Sequence, residues 1–296
     1  MANLKDISRK IKSVKNTQKT TKAMKLVSSA KLRRTQQLQE QTKSYALKIN
    51  EVLCEIAARV SKVHGEDTDL SRAFIQESDL KVVDIVFVTA DKGLCGGFNM
   101  ATIKAVRSIM QDYLDKGVKV RLKAVGRKGI DYFNFQGIEL LAKEVGLSSS
   151  PTYEKASEFI SSTFEEFINE KTDKVILVYN GFKNMLAQEL KIKTLLPIST
   201  DVLSGIDDTS MLEVEPEDNE EEILDELTSK YVEFNMYYSL IDSLSAEHSA
   251  RMQAMDNATS NAKEKVNELT IEFNKARQAA ITTELIEIIS GVESMK

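Results

Sequence analysis

The stretch EDNEEEILDELTSKYVEFNMYYSLIDSLSAEHSARMQAMDNATSNAKEKVNELTIEFNKARQAAITTELIEIIS, residues 217–290, holds neither Gly nor Pro, so nothing in its 74 positions breaks a helix. Apolar residues recur in it at steps of three and four: Leu224, Leu227, Tyr231, Phe234, Tyr238 and Ile241, then Met252, Met255, Ala262, Val266, Leu269, Phe273, Ala276 and Ala280. That period is the narrow seam of a coiled coil rather than the broad apolar face of a globular helix. One helix of this length would span about 110 Å at 1.5 Å per residue, more than a compact domain can flank. It needs a partner along its length.

The other end of the chain supplies a candidate. Residues 1–64 also lack Gly and Pro and are rich in Lys, Gln, Leu, Ala and Glu, all good helix formers, and Asn3 can cap the start. Leu4, Ile7, Ile11 and Val14 begin a seam, and Ile49, Leu53, Ile56 and Val60 resume it. In between, the same register reads Gln18, Thr21, Lys25, Ser28, Leu32, Thr35, Gln39 and Thr42. A seam this polar is a weak one. It predicts that the middle of the helix meets other surfaces, or bends so that Met24, Val27 and Ala30 do the packing.

Between Gly65 and Pro216 the texture changes, because this part holds eleven of the twelve glycines and all three prolines, the punctuation of a compact fold. Residues 82–88 read as a buried strand, the turn DKGLCGGFN (91–99) follows, and a helix runs from about Met100 to Lys116. Residues 118–125 alternate as a strand, GRKGIDYFNFQG (126–137) reads as a short helix and turn, and 138–145 as a further strand. Residues 152–170 are helical with Phe159, Ile160, Phe164 and Phe167 inward, 175–179 form a strand, and 188–196 continue the sheet. Strands alternating with helices mean an α/β domain with a largely parallel sheet, Rossmann-like in its alternation. The expected organisation is therefore two terminal helices, 1–64 and 217–296, around a central domain at 65–216.

Charge and composition narrow the function. The net charge of −5 hides a segregation: residues 1–35 carry eleven Lys or Arg against the single acid Asp6, whereas 206–226 carry eleven acids and no base. The basic helix points to an acidic partner. The acidic run continues into the first turns of the long helix, where the helix dipole favours it. Cys54 and Cys95 lie far apart with no metal-binding spacing and read as reduced thiols. His64 and His248 are isolated. No apolar run approaches the roughly 20 residues needed to cross a bilayer, and MANLKDISRK at residues 1–10 has no apolar signal-peptide core. A soluble protein, at most peripheral to a membrane, is expected.

A search for chemistry returns little. Gly93-Leu94-Cys95-Gly96-Gly97 follows a strand and precedes a helix, where phosphate-binding loops occur, yet it matches neither GxGxxG nor GxxxxGK[ST]. It reads as a tight strand-to-helix turn. Cys95 lacks a His in its segment and is not expected to be a nucleophile. No metal set, paired carboxylates or cofactor site is apparent. Two rival readings follow: phosphate-backbone binding by the basic helix, weakened by the absence of aromatics before Tyr45, and an enzyme on the α/β domain, for which no catalytic set is present.

Three runs carry a resemblance. IKSVKNTQKTTKAMKLVSSAKLRR (11–34) resembles the opening helix of the gamma-subunit family of bacterial-type rotary (F-type) ATP synthases, the run from Ser245 to Gly291 resembles that family's closing helix, and DKGLCGGFN resembles the start of its central domain. Thr20 stands where the family usually has Ile, and no inserted Cys pair of the redox-regulated chloroplast kind is seen. The resemblance spans both ends and the centre. It implies an α/β fold with a long antiparallel coiled coil of the N- and C-terminal helices and a central Rossmann-like domain. It further implies a non-catalytic rotor shaft, without cofactor, metal or nucleic acid. The shaft would turn inside three alpha and three beta subunits, its foot on the epsilon subunit and the c-subunit ring, at the cytoplasmic face of the bacterial plasma membrane.

The resemblance also assigns residues. Lys22, Lys25, Lys31 and Arg33 belong to a basic collar facing acidic beta-subunit loops. Arg277, Gln278 and Thr282 match the family's RQ...T catch, which hydrogen-bonds to loops of the ring. Ile281, Leu285, Ile288, Ile289 and Val292 leave the earlier seam and would form an apolar bearing at the tip.

Overall fold

A computed structural model describes residues 4–63, 80–198 and 220–295. Two compact units emerge: residues 30–250, and residues 1–29 with 251–296. The expected domain boundaries at 64/65 and 216/217, the cap Asn3, His64 and the acidic run up to 219 lie outside the described residues. So do the side chains of Cys54, of the seam residues Leu53, Ile56 and Val60, and of Leu224.

In the larger unit a five-stranded sheet is ordered β3-β2-β1-β4-β5. Its strands are β1 (Val82–Val88), β2 (Lys119–Val125), β3 (Leu140–Glu144), β4 (Lys174–Phe182) and β5 (Gln188–Leu196). The first four are mutually parallel, whereas β5 returns antiparallel from β4. The strands alternate with α2 (Phe98–Leu114), α3 (Arg127–Phe135) and α4 (Tyr153–Ile168), as the pattern of the sequence requires. Both faces of β1 are covered, and apart from Asp84 it is apolar: Val83, Ile85 and Phe87 pack with α2 and α3, while Val86 and Val88 join Ile160 and Phe167 of α4. On α4, Ile160 and Phe167 are buried as expected, but Ala156 and Thr163 share that face, and Phe159 and Phe164 are only partly buried. The α4 helix starts at Thr152, whose hydroxyl oxygen accepts from the Lys155 amide.

The two long helices are α1 (Leu4–Val63) and α5 (Glu220–Glu293). Within the larger unit, α5 departs from the expected narrow seam. From Tyr231 to Ala250 every residue except Tyr237 and Tyr238 is buried, and Tyr231, Val232, Met236 and Leu240 enter the same core as α4 and β4. A helix buried all round is a core element rather than a coiled-coil strand. The antiparallel sense of α1 and α5 here is given by Gln39 against Asp242 and Tyr45 against Phe234.

In the smaller unit the helices do meet along a heptad seam. On α5, Met255, Ala262 and Leu269 are buried, and Val266, Phe273 and Ala276 are half-buried on the same seam. Thr21 lies 2.7 Å from Thr259 and Lys25 2.7 Å from Asp256, so the pairing is antiparallel. Continuing that register puts Leu4 opposite about Ala276 and leaves the rest of α5 with no described α1 residue beside it.

The expectation that Met24, Val27 and Ala30 replace the polar seam is overturned. Val27 is 57% exposed and Ala30 is exposed, whereas Thr21, Ser28, Leu32, Thr35 and Thr42 are all buried in unbroken register. The physical reason is local. The hydroxyls of Thr21, Thr35 and Thr42 donate to carbonyls of their own helix, at Gln18, Leu32 and Leu38, so these side chains pack without an unsatisfied donor.

Candidate functional site

An open α/β sheet binds ligands where its strand order reverses, outside the carboxyl ends of the strands on either side. Here that point lies between β1 and β4, and it is filled. Ala90 and Cys95 from the β1–α2 loop and Phe98 at the start of α2 pack there with Ala246 and Ala250 of α5 and with Phe182 of β4. Cys95 is 2% exposed, and its sulfur accepts from the Asn99 amide, so burial bars it from acting as a nucleophile. Asn99 in turn accepts from the Ala90 amide. Asp91 ties the neighbouring loops together, accepting from the amides of Arg127 and Gly146 and from the hydroxyls of Ser148 and Ser149. Burial works against that charge, but the four donors outweigh it and hold the Asp91 carboxyl below its usual range. The loop resembling a phosphate cradle is a structural turn.

Directional polar contacts cluster around α5. The Asp242 side chain is fully buried and is reached from three elements: Gln39 Nε2 of α1 at 2.8 Å, the Phe182 amide of β4 at 2.9 Å and Lys191 Nζ of β5 at 2.6 Å. Burial disfavours the ammonium of Lys191, yet its bond to Asp242 prevails and raises its pKa. Two residues along β5, Lys193 donates to Asn235, and α4 reaches α5 through Tyr153, whose hydroxyl donates to Glu233. Burial and then Glu233 push Tyr153 up to about 12. Gly181 is constrained by this hub, because a Cβ there would lie 2.6 Å from Asp242 Oδ2 and 2.6 Å from Lys191 Cε.

A second buried charge cluster fastens the sheet to α4. Arg121 grips Asp84 with two bonds of 2.6 and 2.8 Å, and both Arg121 and Lys123 reach Glu166. Lys123, 1% exposed, also bonds Thr163 and lies 3.1 Å from Asp84. Two cations face two anions and each charged group is bonded to an opposite charge within the cluster, which reads as architectural.

Of the basic residues singled out on α1, Lys22, Lys31 and Arg33 are exposed, whereas Lys25 is half-buried. Lys25 occupies a seam position, which turns its ammonium toward α5 and Asp256; it does not belong with the other three on an open face.

At the far end of α5, Arg277, Gln278 and Thr282 are exposed, with the Thr282 hydroxyl bonded back to the Gln278 carbonyl. Ile281, Leu285, Ile288, Ile289 and Val292 are each between 54% and 68% exposed. At about 100° per residue these five fall within a band of about 100°, centred close to the face of Arg277, Gln278 and Thr282 and away from the seam of Phe273, Ala276 and Ala280. A polar patch thus runs directly into an apolar stripe on one side of the helix. Apolar surface of this kind marks an interaction site.

A family model described as ATP synthase matches residues 3–295. The ATP synthase gamma chain of Aliarcobacter butzleri (strain RM4018) is 66% identical over 296 residues, covering 100% of both chains. The chain belongs to the ATP synthase gamma-chain family. The gamma chain of Campylobacter curvus (strain 525.92) is similar at 60% identity, again over the full length of both. Among solved structures, a chain from the OSCP/F1/c-ring assembly of Euglena gracilis mitochondrial ATP synthase in rotational state 3 aligns with a TM-score of 0.66 over 99% of this chain and 94% of its own. At 18% identity that likeness is one of fold.

For a gamma chain, the assigned residues divide by position. The RQ...T residues and the apolar stripe share one face of α5, and Lys22, Lys31 and Arg33 are open on α1. The hub at Asp242 escaped the sequence reading altogether. An isolated Asp in a helix has no periodic signature, and its cation Lys191 pairs across the sheet with Tyr179, so no local pattern marks the contact. No described helix is long and apolar enough to cross a membrane.

Proposed function

We propose that this gamma chain is the central-stalk rotor of a proton-translocating ATP synthase, transmitting torque between a membrane ring of c subunits and three catalytic beta subunits. The observation that carries this reading is the end of α5: beyond about Ala276 it has no described α1 residue beside it and presents a polar patch running into an exposed apolar stripe on one face. A helix end of that kind is incomplete without a surrounding partner. Ile281, Leu285, Ile288, Ile289 and Val292 turn within an apolar collar of the alpha and beta ring, and Arg277, Gln278 and Thr282 make the hydrogen-bonded catch with its loops. Lys22, Lys31 and Arg33 face acidic beta loops. The α/β domain is the foot, against epsilon and the c ring. The chain itself does no chemistry, a reading supported by the filled switch point, and it binds the bacterial membrane only through the complex, on the cytoplasmic face.

The experiment is ATP hydrolysis by purified alpha and beta subunits from the same source, with and without this chain. A complex of one copy per three beta subunits and a large gain in turnover is expected. A folded chain that neither assembles nor stimulates turnover refutes the proposal.

A further inference from the structure

A rotor needs more than a shaft that fits its ring; the foot must not slip around the shaft. Apolar burial alone resists this poorly, because it is non-directional and a helix can turn or slide in an apolar groove at little loss of buried area. Hydrogen bonds to a charged group hold an angle as well as a distance. Along α5 from Glu233 to Ala250, directional bonds, most of them to a charged group, are placed around the helix. Tyr153 reaches Glu233, Lys193 reaches Asn235, the Ser249 hydroxyl donates to the Met185 carbonyl, and Asp242 takes three donors at once.

We infer that Asp242 is the azimuthal lock of the rotor, the residue that fixes the rotation of α5 against the sheet and against α1. Its geometry is suited to that role. One carboxylate oxygen is shared by Gln39 of α1 and the main-chain amide of Phe182, and the other takes Lys191 of β5. The Phe182 amide belongs to the sheet backbone and cannot swing as a side chain can. Gly181 beside it leaves the space that Asp242 and Lys191 occupy, so the strand is shaped around the contact. The carboxylate is fully buried, so water does not compete for its bonds. Gln39, Phe182, Lys191 and Asp242 all lie within the unit of residues 30–250. Twisting α5 against this sheet has to break charge-assisted bonds on three sides together.

The inference rests on the rotor reading, and the test separates the two. The assembled ATP synthase in vesicles is compared with Asp242→Ala, Gln39→Leu and Lys191→Met variants in three measurements: ATP hydrolysis by the complex with alpha and beta subunits, ATP synthesis at a limiting proton gradient, and the angular variance of a rod fixed to the foot while the alpha and beta ring is held. Hydrolysis within about twofold of the unmodified complex is expected, with angular variance raised at least about twofold and synthesis reduced to below about half, since torque is lost in the joint while the ring contacts stay intact. Gln39→Leu and Lys191→Met should each give a smaller change in the same direction. Unchanged variance in assembled variants overturns the lock. Should Asp242→Ala fail to assemble, the two milder variants decide by the same criterion. If the unmodified chain forms no complex with alpha and beta subunits, the rotor reading falls first and the lock falls with it.

Discussion

Lys123 is a full-length cation 1% exposed in the sheet, held by Asp84, Thr163 and Glu166. Removing it by Lys123→Met leaves Asp84 and Glu166 with Arg121 alone and one buried negative charge uncompensated. The expected cost is about 3 kcal/mol, read from urea unfolding of the gamma chain, because breaking a buried pair on one side exposes the full desolvation of the other. Glu166 predicts a pH effect. Burial opposes its charge, but Lys123 and then Arg121 outweigh that and hold its pKa below the ordinary 4.5. A depressed carboxylate contributes stability that is complete above 4.5 and is lost as the pH falls through the lower folded value. Glu166→Gln should therefore flatten the fall of the urea midpoint with acid below about pH 4.5, and an unaltered slope would show that the group does not titrate as described. The half-exposed Lys25–Asp256 pair is a weaker device, worth no more than about 1 kcal/mol. Its worth lies in correcting the charge count of the open α1 face. A clean charge reversal uses Lys22, Lys31 and Arg33, and it should impair ATP-driven proton pumping while leaving the far-ultraviolet circular dichroism of the chain unchanged. Pumping that survives the reversal argues against a collar.

The long helices change character along their length, and substitutions should follow. Leu269 is 7% exposed on the seam, whereas Leu285 on the same helix is 54% exposed. Leu269→Ala should cost about 2–3 kcal/mol of stability in the isolated chain, and Leu285→Ala should stay within about 0.5 kcal/mol. On the proposed rotor reading, which sets Leu285 against the ring, the order should reverse for turnover in the assembled complex; equal losses in both measurements would contradict that division. The polar α1 seam is legible in the same terms. Its heptad spacing was visible in the sequence, but its low hydrophobicity hid the fact that it packs, because the threonine hydroxyls are satisfied within the helix and only the structure shows where their protons go. Replacing Thr21 and Thr259 together by Val should change the melting free energy by less than about 1 kcal/mol, as both members of the pair lose their polar atom at constant shape.

For the whole molecule, local stability should vary strongly along one helix. Residues 231–250 of α5 are buried on nearly every side, and 277–292 are exposed at every position but Ala280. Amide hydrogen exchange of the isolated chain should then be slowest in the first span and fastest in the second, with protection of the second gained on assembly with alpha and beta subunits. Equal exchange before and after assembly would remove the tip from the interface. The filled switch point has a consequence at the same scale. An α/β sheet of this topology ordinarily leaves a ligand crevice at the carboxyl ends of β1 and β4, and here α5 puts Ala246 and Ala250 into it. The sheet has become a seat for a helix.

The sequence by itself determined the elements and their kinds. Helix breakers confined to the middle of the chain, a heptad period at both ends and alternating strands and helices between them are local properties, set by backbone sterics and the burial of one face. It also placed Arg277, Gln278, Thr282 and the apolar residues after them on one side of a helix, since angular position on a helix is arithmetic. Only the tertiary structure decided what depends on partners distant in sequence. The all-round burial of residues 231–250 comes from a sheet that the helix period does not record. Lys25 turned inward because Asp256 stands across the seam, and Asp242 became a hub because Gln39, Phe182 and Lys191 converge on it. A buried charge has no meaning until its counter-charges are in place, and those are brought together by the fold.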